Sequence, residues 1–153
     1  MNENDSEFNS FLRYWFAGFS CGIDSLDANA RQKMLSECGK ACARSYTTDI
    51  FKKARHDTGN LKDFLQRLHE FLPDGNFELL DSGTIRATYH RCGCDLVRLG
   101  LVGSPNLCEC SATNFQENLE SSLGIPVSVE IESSILRGAQ RCVLTARFNQ
   151  KVR

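Results

Sequence analysis

Hydrophobic positions divide the chain into a helical half and a strand half. Phe8, Phe11, Leu12, Trp15, Phe16 and Phe19 recur at helical spacing, which predicts an amphipathic helix with an aromatic stripe. Such a stripe reads as core packing or as the wall of an apolar ligand pocket. Asp24 is placed to cap a second helix running to about Ser45, with Ala30, Met34, Cys38, Ala41 and Cys42 as its inner stripe. Gly39 sits in the middle of that helix at a cost of about 1 kcal/mol relative to alanine, which predicts a close neighbour there. Thr48 to His56 reads as a short third helix. Asn60 caps a fourth carrying Leu61, Phe64, Leu65, Leu68 and Leu72, and Pro73-Asp74-Gly75 ends it.

Beyond residue 75 the period changes to two. Phe77 and Leu79, a turn at Asp81-Ser82-Gly83, then Ile85, Ala87 and Tyr89 predict a hairpin. That alternation places Thr88, His90, Cys92 and Cys94 on the opposite face. Ser111 reads as the cap of a helix with Phe115, Leu119 and Leu123, stopped by Gly124. Val127, Val129 and Ile131 predict a strand. A turn at Arg137-Gly138 precedes a last strand with Cys142, Leu144, Ala146 and Phe148. The expectation is one α+β domain over residues 1–153, with N-terminal helices (about 5–73) packed on a C-terminal antiparallel sheet (about 76–149).

Composition changes this picture little. The 153 residues are 41% hydrophobic and 24% charged, ordinary values for a globular domain. The net charge of −1 gives no reason to expect a nucleic-acid partner. Lys52, Lys53 and Arg55 read as a solvated helix face, and the basic tail of Arg147, Lys151 and Arg153 is too sparse for a nucleic-acid arm. Glu3, Asp5 and Glu7 are of the wrong sign for a secretory leader. The apolar run from Phe11 to Ile23 is too short and interrupted to span a bilayer. These features point to the cytoplasm and away from a membrane partner.

The chemistry is concentrated in eight cysteines. Cys92-Gly93-Cys94 and Cys108-Glu109-Cys110 are two matched pairs with thirteen residues between them. On extended chain, residues i and i+2 share a face, so each pair would present two sulfurs side by side. If the intervening loop folds back, four thiolates can surround one zinc ion at about 2.3 Å each. Arg91 and Arg98 would offset the negative charge. Cys38 and Cys42, one helical turn apart, and His90 are possible additional ligands. Two other readings of the thiols stand beside zinc. They form reversible disulfides, a Cys-x-Cys ring being strained and labile, or they are small buried side chains. Cys21 and Cys142 read as buried, and His56 and His69 as helix-surface residues. No phosphate-binding glycine loop, nucleophile elbow or histidine-based zinc protease motif is present.

Four stretches taken together carry a resemblance. They are Glu37-Cys38-Gly39-Lys40-Ala41-Cys42-Ala43, Tyr89-His90-Arg91-Cys92-Gly93-Cys94, Ser104 to Ser111, and Glu132 to Cys142. In order and spacing the chain resembles an uncharacterised cysteine-rich prokaryotic family similar to the L-2-amino-thiazoline-4-carboxylic acid hydrolases. More distantly it resembles vinyl-4-reductase domains, which share a fold with trafficking-particle subunits. The resemblance implies helices against an antiparallel sheet, a small-molecule pocket, and in some members a cysteine-lined metal site. Val143 and Leu144 follow Cys142 where an aromatic is usual, which favours the uncharacterised branch.

The functional expectation is a domain that binds zinc through paired cysteines and binds or senses a small molecule. Two alternatives accompany it. One is a hydrolase acting on a cyclic amidine or C–N bond, which would need an open metal position for water. The other is a thiol redox sensor. On the zinc reading, the segment from Cys92 to Ser111 has too few apolar residues to order itself without metal.

Overall fold

A computed structural model describes residues 3–149 and Val152; Lys151 and Arg153 of the basic tail and the side chains of Glu3 and Asn4 lie outside the described residues. In chain order the helices α1 (Glu3–Ser25), α2 (Ala28–Cys42), α3 (Thr48–His56) and α4 (Leu61–Phe71) precede strands β1 (Gly75–Asp81) and β2 (Thr84–Tyr89). A single helical turn α5 (Asp95–Arg98) and the long helix α6 (Glu109–Leu123) follow, then β3 (Ser128–Ser133) and β4 (Cys142–Arg147). The four strands form one antiparallel sheet in the order β1-β2-β4-β3, and the fold is α+β.

The sheet follows the alternation in the sequence. Phe77 pairs with Ala87, Ala87 with Leu144 and Leu144 with Ile131, so one row of apolar side chains crosses all four strands on a single face. Ile85, Ala146 and Val129 form the next row. Helices α3, α4 and α6 cover this face with Phe51, Phe64, Leu68, Phe115 and Leu119, and the main core lies between the two layers. Asn60 caps α4 as expected, its side chain accepting from the Asp63 amide at 2.9 Å. Gly124 ends α6 in the left-handed conformation, and Gly138 turns the chain into β4 at φ 91°.

Three expectations for the helical half require correction. First, Asp27 rather than Asp24 caps α2, accepting from the Asn29 and Ala30 amides. Asp24 remains in α1 and accepts hydrogen bonds from Ser104 and Asn106 instead. Second, the inner stripe of α2 is one residue out of phase with the expected one: Leu35, Gly39 and Ala43 are buried, while Met34, Cys38, Ala41 and Cys42 are exposed. A π-helical segment at Ala43–Thr47 then joins α2 to α3, and the inward positions become Thr48, Phe51 and Ala54. Third, the aromatic stripe of α1 is not core along its length. Ile23 is buried and Phe16 and Phe19 are partly so, but Phe8, Phe11 and Trp15 are exposed.

A second, smaller core lies at the other end of the molecule. Ile23 of α1, Leu35 of α2, Val102 and Leu107 are buried together, with Leu96, Val97 and Leu136 packed against them. The Cys92–Ser111 segment therefore does have apolar support, borrowed from α1 and α2. Sequence alone does not show that loan, because the partners lie about 70 residues away along the chain.

Candidate functional site

The cysteines gather around the second core, but not in their sequence pairs. Ser104 caps a 3-10 turn over Pro105–Cys108 that runs directly into α6, which begins at Glu109 rather than beyond Ser111. Cys108 and Cys110 are thus on helical chain. At about 100° per residue, positions i and i+2 lie on nearly opposite sides. Cys108 is buried, its Sγ 2.8 Å from the Ser134 hydroxyl, on the side of Cys142 and Cys92. Cys110 points the other way, towards α2. The side-by-side presentation expected of this pair does not occur. Cys92 and Cys94 lie past the end of β2 on irregular chain, so the strand parity expected for Thr88, His90, Cys92 and Cys94 ends at Tyr89.

The side facing α2 assembles a different group. Gly39 is the contact point: a Cβ there would overlap the Cys110 carbonyl oxygen and stand 3.0 Å from Thr113 Cβ and 3.1 Å from the Asn114 amide nitrogen. The predicted close neighbour is the backbone of α6. With Gly39 against the Cys110 backbone, Cys38 and Cys42 of α2 come near enough to act electrostatically on that thiol. Cys94, at the N-terminal cap of α5, comes in from the loop. Cys38, Cys42, Cys94 and Cys110 therefore form one electrostatically coupled set drawn from three elements. Burial pushes the Cys110 thiol up to about 12, and Cys94, Cys42, Cys38 and, least, Cys108 push in the same direction. Burial likewise raises Cys42, although the residue as a whole is exposed; Cys94 adds to the shift and a hydrogen bond with the Asn114 side chain opposes it. Cys108 is raised by burial, partly offset by its hydrogen bond with Ser134.

As placed, no three His, Cys, Asp or Glu side chains among the described residues converge closely enough to hold a metal ion. His90 is exposed. Arg91 pairs with Asp74 at 2.9 Å and Arg98 with Asp95 at 3.4 Å, so neither is committed to the thiols. Cys21 is exposed rather than buried, and Cys142 is half-buried, its sulfur accepting from the Ile135 amide at 3.4 Å. His56 is exposed as expected, beside Asp57, and His69 contacts the Gly75 carbonyl at 2.8 Å. Two partners of the thiols, Asn114 and Ser134, escaped the sequence reading. An isolated Asn or Ser in an apolar stretch carries no motif that would mark it.

Two clefts open elsewhere. One of about 350 Å³ lies beside β3 and β4 and is lined by Val127, Arg147 and Phe148 among others. One of about 160 Å³ lies between α2 and α6, lined by Lys40, Thr113 and Glu117 among others. Neither is lined by a cysteine.

The raised thiol pKa values have a consequence for stability. A thiol whose pKa is higher folded than unfolded favours the folded state fully below its unfolded value of 9.0, and that contribution is lost as pH rises towards the folded value of about 12. The metal-free protein is expected to lose thermal stability above about pH 9. The Cys110→Ala variant should show a shallower loss. Coincident pH profiles of the melting midpoint for the two proteins would show that the Cys110 thiol is not desolvated.

The α+β fold is shared with solved structures of low sequence identity. The chain shares it with a trafficking protein particle complex subunit 3 from Naegleria fowleri, a structure covalently bound to palmitic acid (TM-score 0.58, 12% identity, 97% of this chain and 99% of that one). It shares it also with the phenol-responsive sensory domain of the transcription activator PoxR, solved with phenol (TM-score 0.55, 11% identity, 89% and 73%). A vinyl-4-reductase family protein from Methanocaldococcus jannaschii overlays at a TM-score of 0.45 with 13% identity over 96% of both chains. No protein-family model and no curated protein sequence matches the chain, so the thiazoline hydrolase part of the resemblance has no support. Among the described residues no helix is long and apolar enough to cross a membrane.

Proposed function

We propose that this protein is a small-molecule-binding or sensing domain in which thiols of Cys38, Cys42, Cys94 and Cys110 hold a zinc ion. The observation that carries the metal half is the close approach of α2 to α6 at Gly39 and Cys110, with Cys38, Cys42 and Cys94 near enough to act electrostatically on the Cys110 thiol. Burial disfavours the free thiolates of Cys42 and Cys110 there. Thiolates bound to a soft cation are not penalised in that way. The donor set suits zinc, and side-chain rotation would be needed to bring the sulfurs to one centre. Four thiolates leave no open position for water, so the ion's contribution is structural: it ties α2 to α6 and to the loop. The small-molecule half is supported by the shared fold, because two proteins with this fold carry a fatty acid and a phenol.

The metal half is tested by elemental analysis of protein purified without an affinity tag. About one zinc per chain is expected in the wild type, and much less in Cys42→Ser and Cys94→Ser. Cys108→Ser should retain the ion. If Cys108→Ser loses zinc and Cys42→Ser keeps it, the site belongs to the two Cys-x-Cys pairs. Metal-free wild-type protein with every thiol titratable would end the zinc reading. For the ligand half, calorimetric titration with phenol and with palmitic acid as probes should give saturable heat for at least one. No heat and no change in melting temperature with either probe would count against it.

A further inference from the structure

Helix α1 is 23 residues long, about 34 Å, and only its C-terminal part has the body of the protein beneath it. Residues Phe16, Phe19 and Ile23 make that contact. A second face, rotated from the first, carries Phe8, Phe11, Trp15, Gly18 and Gly22 at alternating spacings of three and four, the spacing of a helix–helix seam. Phe8 is 60% exposed, Phe11 58% and Trp15 55%, with Tyr14 beside them at 81%. Gly18 and Gly22 lie in open space: a Cβ at either would meet nothing within 4 Å. Two glycines in mid-helix cost about 1 kcal/mol each relative to alanine. Unlike Gly39, neither has a neighbour in this chain that requires it.

We infer that this face of α1 pairs antiparallel with the same face of a second copy of the chain. The pattern is its own complement. Reversed about Arg13, position 8 falls opposite position 18 and position 11 opposite position 15. Phe8 of each copy is seated against the bare backbone at Gly18 of the other, and Phe11 lies against Trp15. Large rings opposite glycines let two helices approach closely. The area is just sufficient. At 150–250 Å² for a buried aromatic side chain, the four exposed rings leave roughly 500 Å² in water per copy. Pairing removes at most about 1,000 Å² in total, the lower limit for a biological interface. A lipid surface is the poorer occupant. Outside the seam the helix sequence carries Glu3, Asp5, Glu7 and Asp24 against Arg13 alone, whereas helices that lie on membranes are rich in Lys and Arg.

The test is sedimentation equilibrium of the full chain at micromolar concentration, with the wild type expected to be a dimer. Gly18→Leu should weaken the dimer by about 100-fold or more, since it fills the seat of Phe8. The variant should fold normally and retain or gain helix content, because the leucine meets open space in the single chain. Phe11→Lys, on the opposite half of the seam, should have the same effect. A monomeric wild type would overturn the inference, as would a Gly18→Leu protein that dimerises as well as the parent. Sedimentation of wild-type monomer with anionic phosphatidylserine vesicles would overturn it in favour of a lipid partner.

Discussion

Phe64→Ala is expected to destabilise the protein by about 3–5 kcal/mol, the cost of removing a fully buried ring and leaving a cavity. Phe64 has no exposed surface and lies edge-on to Phe51 at 6.4 Å between centroids. Phe51 in turn meets Phe77 of β1 and Phe115 of α6, so one aromatic group joins α3, α4, α6 and the sheet. Because these contacts tie both layers together, neighbours cannot close the cavity without opening others. For a chain of this length the loss corresponds to a fall of roughly 10–15 °C in melting midpoint. Urea unfolding measures it. A loss below about 1.5 kcal/mol would mean that the core collapses around the missing ring and that the layers are less constrained than described. The thiols of the proposed zinc site belong to the other core, so any zinc content at temperatures where the variant is folded should be unchanged.

Gly39→Val is the second large effect, and it separates two opposing terms. Replacing a helical glycine usually stabilises by up to about 1 kcal/mol through backbone entropy. Here the new Cβ would run into the backbone of α6 at Cys110 and Asn114, which cannot swing aside as a side-chain tip can. Overpacking against backbone costs about 1–3 kcal/mol and occasionally more, so the net outcome is destabilisation of about 2 kcal/mol. Relief comes only from moving α2 away from α6, which separates Cys38 and Cys42 from Cys110. The variant is therefore expected to be less stable in urea and, on the proposed zinc site, deficient in zinc. A Gly39→Val protein as stable as the parent would show that the two helices are not in backbone contact.

These two residues mark how far the sequence could be read. Phe64 was legible because α4 buries one stripe at strict helical spacing and has an unambiguous cap at Asn60. The hairpin and the last strand were legible for the same kind of reason: alternation at Ile85, Ala87, Leu144 and Ala146 fixes which face is apolar. At Gly39 the sequence announced a close neighbour but not its identity. The phase of α2 was missed by one residue because its alternative stripe, Met34, Cys38 and Cys42, is equally apolar. Periodicity cannot choose between two apolar stripes without knowing what lies opposite.

What the sequence determined by itself was the α+β class, most elements, and the presence of a thiol-rich region, all set by patterns within a few residues. Which thiols meet was decided by tertiary structure. A 3-10 turn at Pro105–Cys108 placed Cys108 and Cys110 on helical rather than extended chain and sent them to opposite sides. Close approach at Gly39 then gave Cys110 new neighbours from α2. The fate of the α1 aromatics was decided in the same way. Burial depends on whether another surface lies beneath a stripe, and within one chain that surface ends before Trp15.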